Sequence, residues 1–317
     1  MLALPSGETL RLPIDPIRRA MGSVIHGKDE VIELLLVGVL GGGHVLVEDA
    51  PGVGKTTLAK ALSRTFRAVF SRVQFTPDLL PSDILGSQVF RPGDGTLSFQ
   101  RGPVFANVLL ADEINRASPR TQSALLEAMS EAQVTVDGVT HPLPAPFFVI
   151  ATQNPVDYQG TYPLPEAQLD RFLLRTGVGY PAFADERAML FSRQRRDPLA
   201  DVEPVATMAD LLAMQAEVRE VLVKEPVADY LLRIVAATRD HRSIELGVSP
   251  RGALALFRAA QARAFLLGRR YAGPDDVASL AVPVLAHRLV LTTEARYGGV
   301  TARTLVAGAV EGTPVPT

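Results

Sequence analysis

The feature that most constrains this chain is residues 46–57, which read Leu-Val-Glu-Asp-Ala-Pro-Gly-Val-Gly-Lys-Thr-Thr. An apolar segment is followed at once by a glycine-containing loop and a helical pattern, the order of a buried strand, a phosphate-binding loop and a helix. Glycines let the backbone wrap a phosphate, while loop amides and the helix N-terminus donate hydrogen bonds. Lys55 adds a positive charge, and the Thr56 hydroxyl suits Mg²⁺. The segment therefore predicts a nucleoside triphosphate ligand.

One position departs from the pattern G-x-x-x-x-G-K-[ST], because Asp49 stands where the first glycine belongs. Its negative charge weakens polyphosphate binding unless the carboxylate points away. An ordinary glycine turn between a strand and a helix is the alternative for this segment taken alone. The predicted nucleotide contacts come from the whole loop: Asp49, Ala50, Pro51, Gly52, Val53, Gly54, Lys55, Thr56 and Thr57.

Composition limits the class of protein. The 317 residues are 47% hydrophobic, enough for one large or two ordinary cores, and we expect two domains. The absence of cysteine excludes disulfides and thiolate chemistry and is compatible with a cytoplasmic location. The five histidines are not at metal-ligand spacing. A formal net charge of −2 gives no overall attraction to nucleic acid or anionic lipid. We expect neither a signal peptide nor a membrane span.

The apolar pattern predicts an α/β core followed by a helical region. Helices alternate with short apolar segments, which favours a mostly parallel sheet covered on both faces. After residue 181 the pattern becomes helical. The predicted strands are His44–Glu48 and residues 68–75, 108–111 and 147–152. The predicted domains are an N-terminal arm at 1–22, a nucleotide-binding domain at 23–181, a helical domain at 182–310 and a flexible tail at 311–317.

Two hairpins interrupt the α/β pattern. Residues 88–91 and 96–99 flank Gly93-Asp94-Gly95, and residues 133–136 and 139–141 flank Asp137-Gly138. The hairpins either cover an edge of the main sheet or project from the domain toward a partner.

A second chemical segment is the strand at 108–111, which ends in Asp112 and Glu113. The alternation of a strand sends these side chains to different sides. Asp112 can then steady Mg²⁺ through its water shell while Glu113 polarises the attacking water. An acidic pair at a strand end is ordinary by itself. Together with Lys55 and Thr56 it predicts a metal site made by Thr56 and Asp112.

Three further residues are candidates for the site. Asn154 follows the next strand and suits the attacking water or the terminal phosphate, although asparagine before proline is also ordinary turn chemistry. Arg171 lies beside apolar residues, so it either pairs with Asp170 or Glu166 or meets a phosphate across a subunit boundary. Arg251 stands in the first turn of a helix, where it opposes the helix dipole. That cost is easier to understand if Arg251 meets an anion.

Taken together, six blocks of the sequence resemble the MoxR family of AAA+ ATPases over roughly residues 14–289. The blocks are residues 51–56, 101–107, 110–117, 151–155, 164–172 and 249–251. The resemblance implies an α/β fold, with an AAA+ phosphate-loop core whose parallel five-stranded sheet is covered by helices and a smaller all-helical C-terminal lid domain. It also implies ATP and Mg²⁺ as cofactors.

The resemblance also implies a role for each matched residue. Arg116 becomes a second interface candidate, and the hairpins become the helix-2 insert and the pre-sensor-1 insert. Residues 24–28 differ from the family's adenine-side segment at His26 and Lys28, so backbone contacts to the base are expected from Val24 and Ile25. The implied roles are Lys55 and Thr56 as Walker A, Asp112 and Glu113 as Walker B, Asn154 as sensor 1, Arg171 as arginine finger and Arg251 as sensor 2.

In function, the resemblance implies a cytoplasmic, Mg²⁺-dependent ATPase that forms a ring, usually of six subunits, with ATP at the interfaces. Such a ring remodels, matures or inserts metal into a client protein, often with a partner that carries a von Willebrand factor A domain. A nucleic-acid motor is one alternative, which the near-neutral charge and the absence of Trp disfavour. A nucleotide-gated switch with little hydrolysis is another, suggested by Asp49. Whether Arg251 acts on its own subunit's nucleotide or a neighbour's is open.

Overall fold

The computed structural model describes residues 14–93, 95–154, 161–192, 194 and 197–316. The predictions for the first thirteen residues of the arm, for Asp94, for Pro155 and for Thr317 lie outside the described residues. The elements of the N-terminal part are α1 (Ile14–Gly22), α2 (Asp29–Leu40), β1 (His44–Glu48), α3 (Lys55–Thr65), β2 (Phe70–Gln74), α4 (Pro81–Leu85), β3 (Gly86–Arg91), β4 (Thr96–Arg101), β5 (Val108–Asp112), α5 (Pro119–Glu131), β6 (Gln133–Val136), β7 (Val139–Pro142), β8 (Phe148–Gln153), α6 (Glu166–Leu169), β9 (Phe172–Thr176) and α7 (Phe183–Ser192).

The C-terminal part is mainly helical. Its elements are α8 (Met208–Arg219), β10 (Leu222–Val223), α9 (Glu225–Arg239), β11 (Ile244–Leu246), α10 (Pro250–Leu266), β12 (Tyr271–Ala272), α11 (Pro274–Leu285), β13 (Val290–Leu291), α12 (Thr293–Tyr297) and α13 (Ala302–Glu311). The four short strands form two two-stranded pairs, β10 with β12 and β11 with β13. These pairs are an addition to the helical pattern that the sequence predicts.

The main sheet has five parallel strands in the order β2-β5-β8-β1-β9, so the predicted parallel five-stranded sheet is confirmed. Four of the strands lie where the apolar segments predict them. The fifth, β9, is not placed by the sequence analysis, because it follows directly on the short helix α6 and the Arg171 motif. Its register sets Phe172 beside His44, at the amino end of β1.

The alternation of the strands sends their side chains into two apolar layers. Val45 and Val47 pack with α1, α2 and α3, whereas Leu46 packs on the other face with α5. Both faces are covered, so the central strands are fully buried and consist of near-continuous apolar residues.

The C-terminal helices are joined to the core by a continuous apolar cluster, which runs from α2 and β1 through α8, α10 and α11. Polar contacts reinforce the join. Arg263 of α10 bonds Glu33 of α2 at 3.1 Å and the fully buried Asp276 of α11 at 2.8 Å. Gln215 of α8 donates to the Val39 carbonyl at 2.7 Å. The apolar cluster therefore runs across the predicted domain boundary at 181.

The two chain ends are more structured than the sequence suggests. The described part of the predicted arm is the helix α1, whose Ile17 and Met21, four residues apart, are buried against α2 and α3. In the predicted flexible tail, Thr313 is buried and donates a hydrogen bond to the Ala309 carbonyl at 2.6 Å. A single buried stripe over two helical turns is too short a signal to stand out in a sequence.

Both predicted hairpins form, and neither joins the main sheet: β3 with β4 and β6 with β7 are separate two-stranded sheets. Asp137 and Gly138 have positive φ angles of 50° and 78°, as a two-residue hairpin turn requires. The hairpins touch one another, because the Phe99 ring stacks on His141 with centroids 4.1 Å apart. The two hairpins therefore extend no edge of the main sheet by hydrogen bonding.

Among the helices within the described residues, none has the length and apolar character needed to span a bilayer.

The shared apolar cluster predicts cooperative unfolding of the core with the C-terminal helices. Leu256→Ala, at a fully buried position of α10, should lower the free energy of unfolding by about 2–5 kcal/mol and keep a single transition in urea followed by circular dichroism. Leu254→Ala, at an exposed position of the same helix, is the control and should change it by less than about 0.5 kcal/mol. Two separated transitions in Leu256→Ala would show that the C-terminal helices unfold independently.

Candidate functional site

The loop between β1 and α3 has the conformation of an anion cradle. Gly52 and Gly54 have φ angles of 84° and 97°, which side-chain-bearing residues rarely adopt, and a Cβ at either would meet open space. Gly54 is also the residue that precedes the first turn of α3, where unpaired amides favour a negative charge. The loop therefore satisfies the geometric requirement for a phosphate.

Lys55 points back into this loop and donates to the Asp49 carbonyl at 2.8 Å. Burial lowers the pKa of Lys55, and the nearby charges of Asp112, Asp49 and Glu113 offset part of that shift. Their influence shows that the acidic pair at the end of β5 and the lysine of the loop belong to one site. The ammonium group is thus placed where it can exchange a backbone carbonyl for a phosphate oxygen.

The Asp49 carboxylate faces two backbone amides. It accepts hydrogen bonds from the amides of Ala50, at 2.7 Å, and Gly179, just after β9. Lys28 ties the same segment down by donating to the Tyr180 carbonyl at 2.7 Å. Asp49 therefore fastens the loop to the chain segment leaving β9, and this contact accounts for an aspartate at the first position of the motif.

Asp112 and Glu113 are linked through one hydroxyl. Thr152 of β8 donates to Asp112 Oδ1 at 2.6 Å and accepts from the Glu113 amide at 2.9 Å. Arg72 of β2 contacts Asp112 Oδ2 at 2.7 Å. The predicted separation of the two carboxylates to different sides is wrong. Glu113 has left the strand with a φ of 56°, and this left-handed residue breaks the alternation.

The Glu113 side chain is held by two polar neighbours. Its Oε2 accepts from Gln74 Nε2 and from Arg116 Nη1, both at 2.9 Å. Gln74 and Arg72 stand two residues apart on β2, so they lie on the same face and meet both carboxylates. The predicted interface residue Arg116 is thus an intrasubunit partner of Glu113 in this structure.

The same edge of the sheet carries the remaining polar groups. Asn154 directly follows β8, beside β1, where the Asp49 amide bonds the Gln153 carbonyl at 3.2 Å. Val24 and Ile25 have buried side chains, and both of their amides bond the Met21 carbonyl. Only the carbonyl groups of these two residues are left to contact a base.

Mg²⁺ fits this donor set. The ion favours oxygen ligands and is usually held by one or two carboxylates together with substrate phosphates. The Asp112 carboxylate and the Thr56 hydroxyl, in the first turn of α3, supply such oxygens beside the cradle, and Asp112 must exchange its bond to Arg72 or Thr152 in order to meet the ion. Within the described ranges, no three His, Asp or Glu side chains gather into a metal cluster of their own.

Arg171 and Arg251 lie elsewhere, in a cleft of about 340 Å³. Arg171 precedes Phe172, which pairs with His44 at the amino end of β1, whereas the phosphate loop follows the carboxyl end. The five residues of β1 separate these ends by about 16 Å. The cleft is lined by Gly41, Gly42, Gly43, His44, Met129, Ser130, Asp170, Arg171, Leu173, Arg251, Leu254, Ala255, Arg258 and Arg288.

Neither carboxylate predicted as a partner of Arg171 is used. Arg171 donates instead to the Leu126 carbonyl and to Ser130 Oγ, the latter at 2.8 Å, at the C-terminal end of α5. Arg251 is exposed at the start of α10 and, among the described side chains, no carboxylate lies within 4 Å of it. Of the cleft's arginines, Arg288 is paired with Asp170, whereas Arg171 and Arg251 have no carboxylate within 4 Å among the described side chains.

Several residues of the two sites are missed by reading the sequence. Arg72, Gln74 and Thr152 contact the acidic pair from neighbouring strands, and only the strand order brings them there. The only sequence feature that points to these residues is that Arg72 and Gln74 lie two positions apart, on one face of the predicted strand at residues 68–75. Arg288, deep in the cleft, stands in an apolar stretch without a motif.

Comparison with known proteins agrees with this fold. The description "ATPase family associated with various cellular activities (AAA)" matches residues 44–174, and an AAA lid domain matches residues 236–307. A crystal structure of a protein from Cytophaga hutchinsonii superposes with a TM-score of 0.89 at 37% identity, covering 96% of this chain and 95% of that one.

Curated relatives are similar over nearly the whole chain. Bacillus subtilis YeaC is 49% identical over 293 residues, 92% of each chain. Chaperone MoxR1 of Mycobacterium tuberculosis is 44% identical over 306 residues, 92% of this chain and 81% of its own. MoxR of Methylorubrum extorquens is 32% identical over an alignment that covers 86% of this chain and 86% of its own.

The parallel sheet, the phosphate loop and the helical lid define a phosphate-loop protein of the AAA+ ATPase class. Its relatives narrow that class. The chain belongs to the MoxR family of AAA+ ATPases, and the predicted family and fold are confirmed.

The cleft also contains a histidine that predicts a pH effect. Burial lowers the pKa of His44 to about 4, with a smaller opposing effect from its bond to the Met129 carbonyl. In the unfolded chain His44 takes up a proton near pH 6.5, whereas in the folded chain it does so only near pH 4. The free energy of unfolding should therefore fall as the pH is lowered from 6.5 to 4. The loss from this group is about 3 kcal/mol.

His44→Gln should make urea unfolding less dependent on pH in this window. His241→Gln, at an exposed position, is the control and should keep the wild-type slope. Equal slopes in His44→Gln and the wild type would contradict the assignment.

Proposed function

We propose that the chain binds Mg²⁺-ATP and hydrolyses it in a homo-oligomeric ring, and that the ring remodels a client protein. One observation carries the proposal: a single subunit holds two complementary parts of a phosphate site at opposite ends of its sheet. The phosphate loop and acidic pair occupy the carboxyl edge, and the arginine cleft lies at the amino edge. The phosphate loop of one subunit can therefore meet these arginines only when they come from a second copy of the chain.

Within one subunit, the loop amides and Lys55 bind the phosphates, and the Val24 and Ile25 carbonyls are suited to accept from the exocyclic amine of adenine. Thr56 and Asp112 would hold Mg²⁺, which would supply neutralisation of the phosphate charge. Glu113 polarises the attacking water, with Asn154 orienting it. The bonds of Glu113 to Gln74 and Arg116 must open for that step, since they occupy the carboxylate oxygen that would take the proton.

Between subunits, Arg171 acts as the arginine finger and Arg251 as sensor 2, both on the neighbour's nucleotide. Their place at the amino edge supports action in trans for Arg251, the alternative left open by the sequence. Such an interface joins two different faces, so successive copies add head to tail and close into a ring when the rotation permits. Six subunits is the number that the family resemblance implies.

The client surface we propose is formed by the two hairpins. They form sheets separate from the main sheet and expose Phe90, Leu97 and Val139. Exposed apolar side chains that lie together favour contact with another protein. The name of the relative Chaperone MoxR1 supports a chaperone-like role. Maturation or metal insertion, a von Willebrand factor A domain partner and a cytoplasmic location remain predictions from the family resemblance.

Mg²⁺-ATP turnover per subunit should rise with protein concentration, because each site needs two copies. Glu113→Gln and Arg171→Ala should each lose at least about a hundredfold in kcat, since one removes water activation and the other removes transition-state charge neutralisation. Arg233→Ala, at an exposed position of α9, is the matched control and should keep wild-type turnover.

Turnover that is independent of concentration and survives Arg171→Ala would overturn the shared site. Tight ATP binding with negligible turnover in the wild type would favour the nucleotide-gated switch. Duplex DNA that stimulates turnover, with an affinity that falls as salt rises, would favour the nucleic-acid motor.

The orientation of Asp49 predicts a small electrostatic effect on nucleotide affinity. Asp49→Asn removes the charge and keeps one acceptor oxygen, so it retains the bond to only one of the Ala50 and Gly179 amides, and the ATP Kd should change by less than about threefold. Lys55→Ala is the positive control and should abolish measurable binding by calorimetry. A tenfold or greater tightening in Asp49→Asn would show that the carboxylate faces the phosphates.

A further inference from the structure

We infer that Asp170, with Arg288 and Ser249, forms a positioning clamp that holds Arg171 of the core and Arg251 of the lid as one unit. None of these three residues is assigned a role in nucleotide chemistry by the resemblance. The inference rests on the proposed function, because it concerns the arginines that act on a neighbour's nucleotide.

The clamp consists of two bonds to one carboxylate. Arg288 Nε donates to Asp170 Oδ1 at 2.8 Å, and Ser249 Oγ donates to Asp170 Oδ2 at 3.1 Å. Asp170 immediately precedes Arg171, and Ser249 lies two residues before Arg251. One side chain therefore connects the backbone beside the finger to the start of α10.

Arg288 makes this connection rigid. It is only 5% exposed, and besides Asp170 it donates to the carbonyls of Phe172, at 2.5 Å, Leu173, at 3.2 Å, and Val284. Burial lowers the pKa of Arg288, and the charge of Asp170 offsets part of that cost. A buried cation bonded to Asp170, to the start of β9, to the neighbouring His287 ring and to the end of α11 fixes the lid against the core at this point.

The Ser249 hydroxyl also determines how α10 begins. It accepts from the Gly252 amide at 3.1 Å while donating to Asp170, so the N-terminal turn that presents Arg251 is capped and tied by the same oxygen. On the other side, Arg171 rests on Ser130 and the end of α5. The distance between the two arginines is thus set by the clamp and not by their own mutual contact, which like charges disfavour.

A clamp of this kind affects the rate of ATP hydrolysis. A neighbour's terminal phosphate needs both cations at once, and an error of about 1 Å in placement can cost about a hundredfold. Asp170→Asn should therefore lower the kcat of Mg²⁺-ATP turnover by about ten- to a hundredfold. Nucleotide binding to the variant's own phosphate loop, at the other edge of the sheet, should be retained.

The decisive measurement mixes two variants. Lys55→Ala subunits lack a working phosphate loop but have intact arginines, whereas Asp170→Asn subunits have an intact loop and misplaced arginines. Mixing should restore turnover that neither variant shows alone, because the first supplies arginines to the nucleotide of the second. Glu33→Gln is the matched control: it breaks the other ion pair between core and lid, the 3.1 Å contact with Arg263, and should keep wild-type turnover.

The outcomes separate the clamp from the proposed function. If Lys55→Ala mixed with Arg171→Ala restores nothing, action in trans fails, and the clamp fails with it. If that mixture is active but Asp170→Asn keeps full turnover alone, is not restored by mixing, or loses no more than Glu33→Gln, only the clamp is overturned.

If Asp170→Asn does not fold, a second set of variants tests the clamp. Ser249→Ala should lose turnover and be restored by Lys55→Ala subunits, while Ser249→Thr, which keeps the hydroxyl, should remain active. Thr207→Ala removes a similar helix cap from α8, where the hydroxyl accepts from the Asp210 amide at 3.2 Å. A loss in Thr207→Ala equal to that in Ser249→Ala would assign the effect to helix stability and overturn the clamp.

Discussion

The parallel pairing of β1 with β8 and β9 is the constraint on which the rest of the structure depends. Because all five strands run the same way, every loop that follows a strand meets at one edge, and every segment that enters a strand meets at the other. The chain places Asp112 at the end of a strand, Lys55 and Asn154 after strands, and Arg171 before one. The phosphate-binding groups and Arg171 are thereby kept at opposite ends of a doubly covered layer.

Helix α5 connects the arginine edge to the hairpins. His44 contacts the Met129 carbonyl at 3.0 Å, and Arg171 bonds Leu126 and Ser130, so both residues hold the C-terminal end of α5. The chain passes from that end directly into β6 and its hairpin. Any movement of Arg171 toward a neighbouring phosphate would remove a bond at the base of the hairpin. In the function that we propose, the arginine that meets the nucleotide and the hairpin that meets the client are therefore both attached to the C-terminal end of α5.

The sequence is informative where a function needs a local pattern and uninformative where it needs the three-dimensional strand order. The phosphate loop and the hairpin turn at Asp137-Gly138 depend on neighbouring residues, and their conformations could be predicted. The pairing of Arg72 with Asp112 depends on β2 lying beside β5, which no local pattern encodes. Glu113 was assigned the wrong side because a left-handed residue interrupts the strand, and φ there is set by tertiary contacts.

Nucleotide binding and readiness for hydrolysis are separate events in this architecture. Lys55 needs to exchange only one bond, to the Asp49 carbonyl, in order to meet a phosphate. Glu113, in contrast, is held by Gln74 and by a half-exposed Arg116, and releasing it requires movement of groups that belong to β2 and to the turn after β5. In the ring that we propose, a neighbouring subunit would bring its own arginines to that edge of the sheet. The contact that completes the phosphate site would then also release the Glu113 carboxylate, and hydrolysis would depend on assembly.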